Sequence, residues 1–182
     1  MAGDHHETAP PAPEPDVKDW TWVLQRPCPD CGFDAAHVSG TQVAAIVRDC
    51  AARWPAVMAR PDAAQRPAAR VWSPLEYACH VSDVCRMFAG RVRLMVHHDH
   101  PAFANWDQDE TALAERYGEQ DPAVVAGQLV DAAEEAAAVF DAVGDEEWDR
   151  TGRRSNGSVF TVETLGQYFV HDLVHHLHDV GA

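Results

Sequence analysis

HDLVHHLHDV, residues 171–180, is the stretch on which the reading of this chain turns. His171 and His175 are four apart, so on a helix their imidazoles stand one turn above the other and point the same way, as two ligands of one metal ion must. His178 continues that face, while His176 is rotated by about 100° from its neighbour, which predicts an exposed or supporting position. Histidine pairs at this spacing also arise by chance on a histidine-rich helix. The rest of the chain has to decide between the two.

Working outward, the same helix extends back to about Thr161 through Leu165, Tyr168, Phe169, Val170, Leu173, Val174, Leu177 and Val180, an apolar stripe at helical spacing. A second helix begins at Ser73-Pro74-Leu75-Glu76, which has the form of an N-cap, a proline in the first turn and the glutamate of a capping box. It runs to about residue 97 and carries His80 two turns in, flanked by Glu76 and Asp83. On a largely apolar face, His80 reads either as a hydrogen-bonded core residue or as a ligand reaching toward another helix. A third helix is marked by Asp121, Pro122 and the stop Gly144. The first is read over about residues 35–59, from the N-cap Asp34 through Val43, Ile46, Val47, Cys50, Trp54 and Val57.

Four amphipathic helices without a convincing strand pattern predict an all-α four-helix bundle over residues 34–182. Composition agrees, since the chain of 182 residues is 46% hydrophobic, with isoleucine and threonine scarce. Residues 1–18, with their prolines and acids, read as a disordered tail whose His5 and His6 are solvated. Residues 19–33 read as an extended lead-in, and Trp20, Trp22, Val23 and Leu24 say that it packs on something.

In that lead-in Cys28 and Cys31 form a CxxC knuckle between prolines and Gly32. Such a pair supplies two thiolates to zinc or acts as a redox couple, or its cysteines are simply structural thiols. A zinc site needs two further ligands, and only His37 is near in sequence. The knuckle is thus half a site and stands as a separate thiol pair.

A net charge of −15 and a single lysine, Lys18, argue against nucleic acid as a partner. No apolar run approaches a membrane span, the first residues lack a signal peptide's pattern, and five cysteines show no disulfide regularity. The expectation is a cytoplasmic protein with reduced thiols that acts on a small molecule. A homodimer is the commonest assembly open to such a domain. The connection over residues 97–120 is long enough to line a pocket, and Asn105, Trp106, Asp107 and Tyr117 are its candidate substrate contacts. A short helix is expected there over residues 110–117. The His-His-Asp-His run at 97–100 is too tightly spaced to wrap one ion.

Bundles build metal sites from side chains that project inward off facing helices. His178 is a poor third ligand, because seven residues of helix rise about 10 Å. His80 is therefore expected to join His171 and His175, with Glu76 or Asp83 orienting its second nitrogen.

WSPLEYACHVSDV followed late in the chain by HDLVHHLHDV resembles the DinB-like, or YfiT-like, superfamily of four-helix metal-binding proteins, over about residues 34–180. The resemblance implies a divalent ion on one histidine of the second helix and two residues four apart on the last, here matched by His80, His171 and His175. It also implies use of a low-molecular-weight thiol of the mycothiol or bacillithiol type, in a transferase or isomerase. Neutral imidazoles leave the ion its charge and an open position, where a thiol is held as thiolate. Zinc is the default ion, with nickel or iron compatible with the same donors. The expected function is a metal-dependent thiol S-transferase. The alternatives are a non-catalytic metal-binding module for binding or stress response, and a metal-dependent hydrolase. The CPDCG knuckle is outside the general pattern of that family.

Overall fold

In the computed structural model, residues 18–182 are described. The tail expected over residues 1–18, with His5 and His6, lies outside them except for Lys18.

The long helices begin where their caps predict. Helix α3, Pro74–His97, is closed at its start by the reciprocal Ser73–Glu76 capping box. Helix α5, Pro122–Asp141, starts at Asp121, whose carboxylate accepts from the backbone of Ala123 and Val124. Helix α6, Val162–Asp179, starts at Thr161, whose hydroxyl accepts from the Thr164 N–H. Helices α1, Val43–Ala51, and α2, Trp54–Met58, complete the bundle. Helix α4, Gln108–Ala114, lies in the connection after α3, followed by a 3-10 turn at Tyr117–Glu119. The short helix predicted at 110–117 thus starts and ends a little earlier.

The helix expected over residues 35–59 is broken, for identifiable reasons. Its first part is two 3-10 turns, Ala35–His37 and Gly40–Gln42. There α6 claims the backbone: Gln167 donates to the Val38 carbonyl at 2.8 Å, and Glu163 accepts from the Gly40 N–H at 3.0 Å. Gly40 also lies so close to the Trp148 ring that a Cβ would sit 2.3 Å from it. The second break, at Ala52 and Arg53, precedes Pro55, which has no N–H to continue the hydrogen-bond ladder.

Three short strands, absent from the predicted pattern, form a small sheet in the order β1 (Ala102–Phe103), β2 (Thr151–Arg154), β3 (Val159–Thr161). β1 and β2 are parallel, β2 and β3 antiparallel. Two to four residues are too few for alternation to be read. The sheet ties the loop after α3 to the segment before α6, and Arg150 reinforces it by donating to the carbonyls of Met95 (2.7 Å) and His98 (2.8 Å) at the end of α3. Arg154 lies over the rings of Phe160 and Tyr168.

The core fixes α6 against its neighbours. Phe169 stacks on Phe88 of α3 at 4.9 Å and on Phe140 of α5 at 5.9 Å. Gly166 permits the close approach, since a Cβ there would lie 2.9 Å from both Phe140 and Val43. At the far end, the Arg60 guanidinium donates to the Val180 carbonyl at 2.5 Å. The helix that bears the histidines is held along its length. Among the described residues no helix is long and apolar enough to cross a membrane.

The lead-in is less extended than expected. Trp20–Leu24 forms a 3-10 turn capped by Asp19, and Val23 is fully buried. The CxxC follows as a tight knuckle in which the Cys28 N–H donates to the Phe33 carbonyl at 2.8 Å and the Gly32 N–H to the Cys28 carbonyl at 2.9 Å. Gly32 adopts φ of 76°, which glycine allows without strain.

Candidate metal centre

Two clusters of ligating side chains meet the last turns of α6, on adjacent faces. One joins His80, Asp172 and His176; the other joins Cys28, Cys31, His171 and His175. In each, one ligand atom per residue lies within 4.8 Å of all the others. The trio expected from the sequence, His80 with His171 and His175, is thereby divided between the two. The step of about 100° between successive helical residues accounts for this. It turns Asp172 and His176 toward α3 and leaves His171 and His175 facing the lead-in.

In the first cluster His80 is 1% exposed. Trp106 stacks on it at 5.3 Å with an interplanar angle of 14°, and Trp72 packs at 5.3 Å. Both of its ring nitrogens are buried without a hydrogen-bond partner, as is Oδ2 of Asp172. The His80 Nε2 to Asp172 Oδ2 distance is 3.6 Å, longer than a hydrogen bond. Buried polar atoms left unsatisfied cost roughly 1–3 kcal/mol each, so the facing pair, His80 Nε2 and Asp172 Oδ2, suits a cation between them. Burial pushes the His80 imidazole below its ordinary pKa, which keeps it neutral and able to ligate. Burial alone would raise Asp172, but His176 and then His80 outweigh it and hold the carboxyl at about 2. His176 directs Nδ1 at Asp179 Oδ2, 2.9 Å away, and its Nε2 lies 3.7 Å from Asp172 Oδ1. A carboxylate behind a histidine in this way fixes the tautomer and ring orientation of a ligand.

The second cluster is built by the knuckle and α6. Cys28 is 1% exposed and its Sγ lies 3.7 Å from Nδ1 of His175. Nε2 of His171 is buried without a partner. Trp20 covers both imidazoles, with ring centroids 5.5 Å from His171 and 5.0 Å from His175, and Phe33 packs on His171 at 5.6 Å. Burial, together with His175, holds the His171 pKa at about 4. Burial pushes the Cys31 thiol up to about 11.

The expected supporting carboxylates are engaged elsewhere. Glu76 accepts from Ser73 N–H (2.8 Å) and Oγ (3.0 Å) and pairs with the Arg66 guanidinium. Asp83 accepts from the Tyr117 hydroxyl at 2.5 Å and from Arg86 at 2.9 Å. Asp179 holds the orienting position instead. Of the candidate substrate contacts, Trp106 reaches His80 and donates through its indole N–H to Thr111. Tyr117 is buried against Asp83, Asp107 caps α4, and Asn105 is exposed with its N–H bonded to Ser155.

A cavity of about 480 Å³ opens over the same turns of α6. Asp172 and His176 line it from the first cluster, His171 and His175 from the second, with Lys18 and Arg70 among the charged residues at its wall. The sequence signal for Asp172 and His176 was present as a carboxylate and an imidazole four apart, interleaved with the more conspicuous histidine pair.

A model of the DinB superfamily matches residues 58–180. Among solved structures, the chain resembles YfiT from Bacillus subtilis, described as a probable metal-dependent hydrolase with an unusual four-helix bundle topology. The TM-score is 0.67 at 17% identity, covering 76% of this chain and 82% of that one. The likeness bears on the fold, which is the four-helix bundle. No match to a curated protein was found. The chain belongs to the DinB superfamily.

Proposed function

We propose that this member of the DinB superfamily is a divalent-metal enzyme that binds its ion through His80, Asp172 and His176 and activates a low-molecular-weight thiol for attack on a small electrophile. The observation that carries the reading is the convergence of three ligand atoms, among them a buried unpartnered nitrogen of His80 and the unpartnered Oδ2 of Asp172, with Asp172 and His176 at the wall of a 480 Å³ cavity and His80 buried behind them. Two imidazoles and one carboxylate are the donors of catalytic zinc sites and of open-sided iron sites. A bound divalent ion supplies Lewis acidity that lowers the pKa of a thiol or water at its open position toward neutrality.

The chain's own residues do the rest. Asp179 orients His176, and Trp72 and Trp106 hold His80 in place and exclude water from it. Lys18 and Arg70 share the cavity wall with Asp30, Asp109, Asp172 and Asp179. Zinc is the ion favoured by default, and the thiol is of the mycothiol or bacillithiol class that the superfamily resemblance implies. The net charge of −15 fits a small-molecule partner and opposes nucleic acid.

A second reading, metal-dependent hydrolysis, is favoured by the description of YfiT as a probable metal-dependent hydrolase and uses the same ligands with water in place of the thiol. Metal analysis combined with assays of thiol consumption and ester or amide hydrolysis separates the two. Conjugation that disappears in His80→Ala and Asp172→Asn is the expected result. Hydrolysis that proceeds without thiol would select the second reading, and conjugation indifferent to His80→Ala would overturn the first.

A further inference from the structure

We propose that Cys28, Cys31, His171 and His175 form a second metal site, a closed Cys2His2 zinc centre that staples the lead-in to α6 and builds one wall of the cavity. This inference is independent of the thiol-transfer reading, because it concerns different ligands on a different face of the helix.

Geometry supports a single tetrahedral ion. Zinc bonds of about 2.3 Å to sulfur and about 2.0–2.1 Å to nitrogen put neighbouring sulfur and nitrogen donors about 3.6 Å apart. The Cys28 Sγ to His175 Nδ1 distance is 3.7 Å, and all four donors lie within 4.8 Å of one another. Ligands on opposite irons of a two-iron cluster would stand farther apart, and a redox disulfide would give His171 and His175 no part. The buried Nε2 of His171, with no hydrogen-bond partner, is the independent sign that a ligand belongs here.

Charge fits as well. Each thiol gives up its proton to solvent on binding, so two thiolates, two neutral imidazoles and one divalent ion sum to zero. Such a neutral unit tolerates the burial seen at Cys28 and His171, 1% and 3% exposed. Four protein donors leave no position for substrate, which makes the site structural. The knuckle fold, with Gly32 at positive φ and the Cys28 N–H bonded to Phe33, presents both sulfurs to one point.

The consequence reaches the neighbouring cluster. His171 and His175 alternate along α6 with Asp172 and His176, so the ion would fix the rotation of the helix that positions the open site. It would also hold Lys18, Trp20 and Asp30 against the cavity. The family model matches only from residue 58, so the two thiolates come from outside the matched region while the two imidazoles come from within it.

The test uses the full chain. Purified protein is expected to bind two zinc ions, and cobalt substitution is expected to give thiolate-to-metal charge-transfer absorption with tetrahedral visible bands. Cys28→Ser and Cys31→Ser should each lose one ion and that absorption while keeping the other ion. His80→Ala should lose one ion and keep the absorption. The wild type alone gives a second measurement that depends on no variant: chelation should make two more thiols reactive toward a thiol reagent. No thiolate absorption with cobalt, an ion content unchanged by Cys28→Ser and Cys31→Ser, or a Cys28–Cys31 disulfide in protein purified under reducing conditions would each overturn the proposal. A wild type that holds only the thiolate-bound ion would instead count against the thiol-transfer reading.

Discussion

The two faces of α6 differ in what their neighbours bring to an equivalent pair of residues. At 171 and 175 the helix meets an irregular knuckle with two sulfurs, while at 172 and 176 it meets a regular helix with one imidazole. Four donors close a site, and three beside a cavity leave it open. A shift of one residue along a helix thus separates a proposed structural ion from a proposed catalytic one. Function here depends less on the helix that displays the ligands than on how many donors the facing element contributes.

The largest effect should come from emptying the open face. His80→Ala is expected to lower turnover by about a thousandfold, or ~4 kcal/mol of transition-state stabilisation, while the sulfur-bound ion stays in place. Steady-state kinetics with metal analysis of the same preparation checks this. If the variant lost both ions, the faces would be one cooperative unit and the comparison would fail.

Removing the closed-face ion should act on stability first. An ion bound a hundredfold or more above its dissociation constant stabilises by about 3 kcal/mol, equivalent to roughly 6–12 °C in melting temperature for a domain of this size. Chelation should lower the wild-type melting temperature by that amount more than it lowers that of Cys28→Ser, as read by circular dichroism. An equal response in the two proteins would mean that the knuckle holds no stabilising ion.

Much of this was readable in the sequence, and the failures have physical causes. Ser73, Asp121 and Thr161 mark real helix starts because local hydrogen bonds set them. The break in the first helix was hidden because Glu163 and Gln167, more than a hundred residues away, take the backbone groups of Gly40 and Val38. The ligands posed a similar problem. The knuckle and the histidine pair were each recognisable as half of a site, but joining them requires knowing that the lead-in crosses α6. Rotation off the histidine face points to an exposed or supporting place for His176, and that rotation is what brings it to His80.

Asp179 touches both faces. Its Oδ2 is 2.9 Å from His176 Nδ1 and its Oδ1 is 3.8 Å from His175 Nε2. Only the first is a hydrogen bond, so Asp179→Asn should weaken metal binding at the open face by about 10–100-fold and leave the cobalt–thiolate spectrum unchanged. Competition with a metal indicator measures the first and absorbance the second. A changed thiolate spectrum would make Asp179 a shared support and narrow the distinction between the faces.

The smallest effect tests whether the open face depends on the stability of α3 or on its position. Ser73 is 1% exposed; its hydroxyl donates to Glu76 at 3.0 Å and accepts from the Glu76 N–H at 3.2 Å. Ser73→Ala removes both bonds and should cost about 1 kcal/mol, a fall of roughly 2–4 °C in melting temperature. Glu76 would still be held by Arg66 and by the backbone N–H of residue 73. His80 lies about two turns beyond the cap, where Trp72 and Trp106 hold its ring. The variant should therefore melt earlier yet bind both ions and turn over as the wild type does. If its open-face ion were lost while the thiolate-bound one remained, the cap would be positioning His80. The open face would then depend on the start of α3, and the closed face on the knuckle.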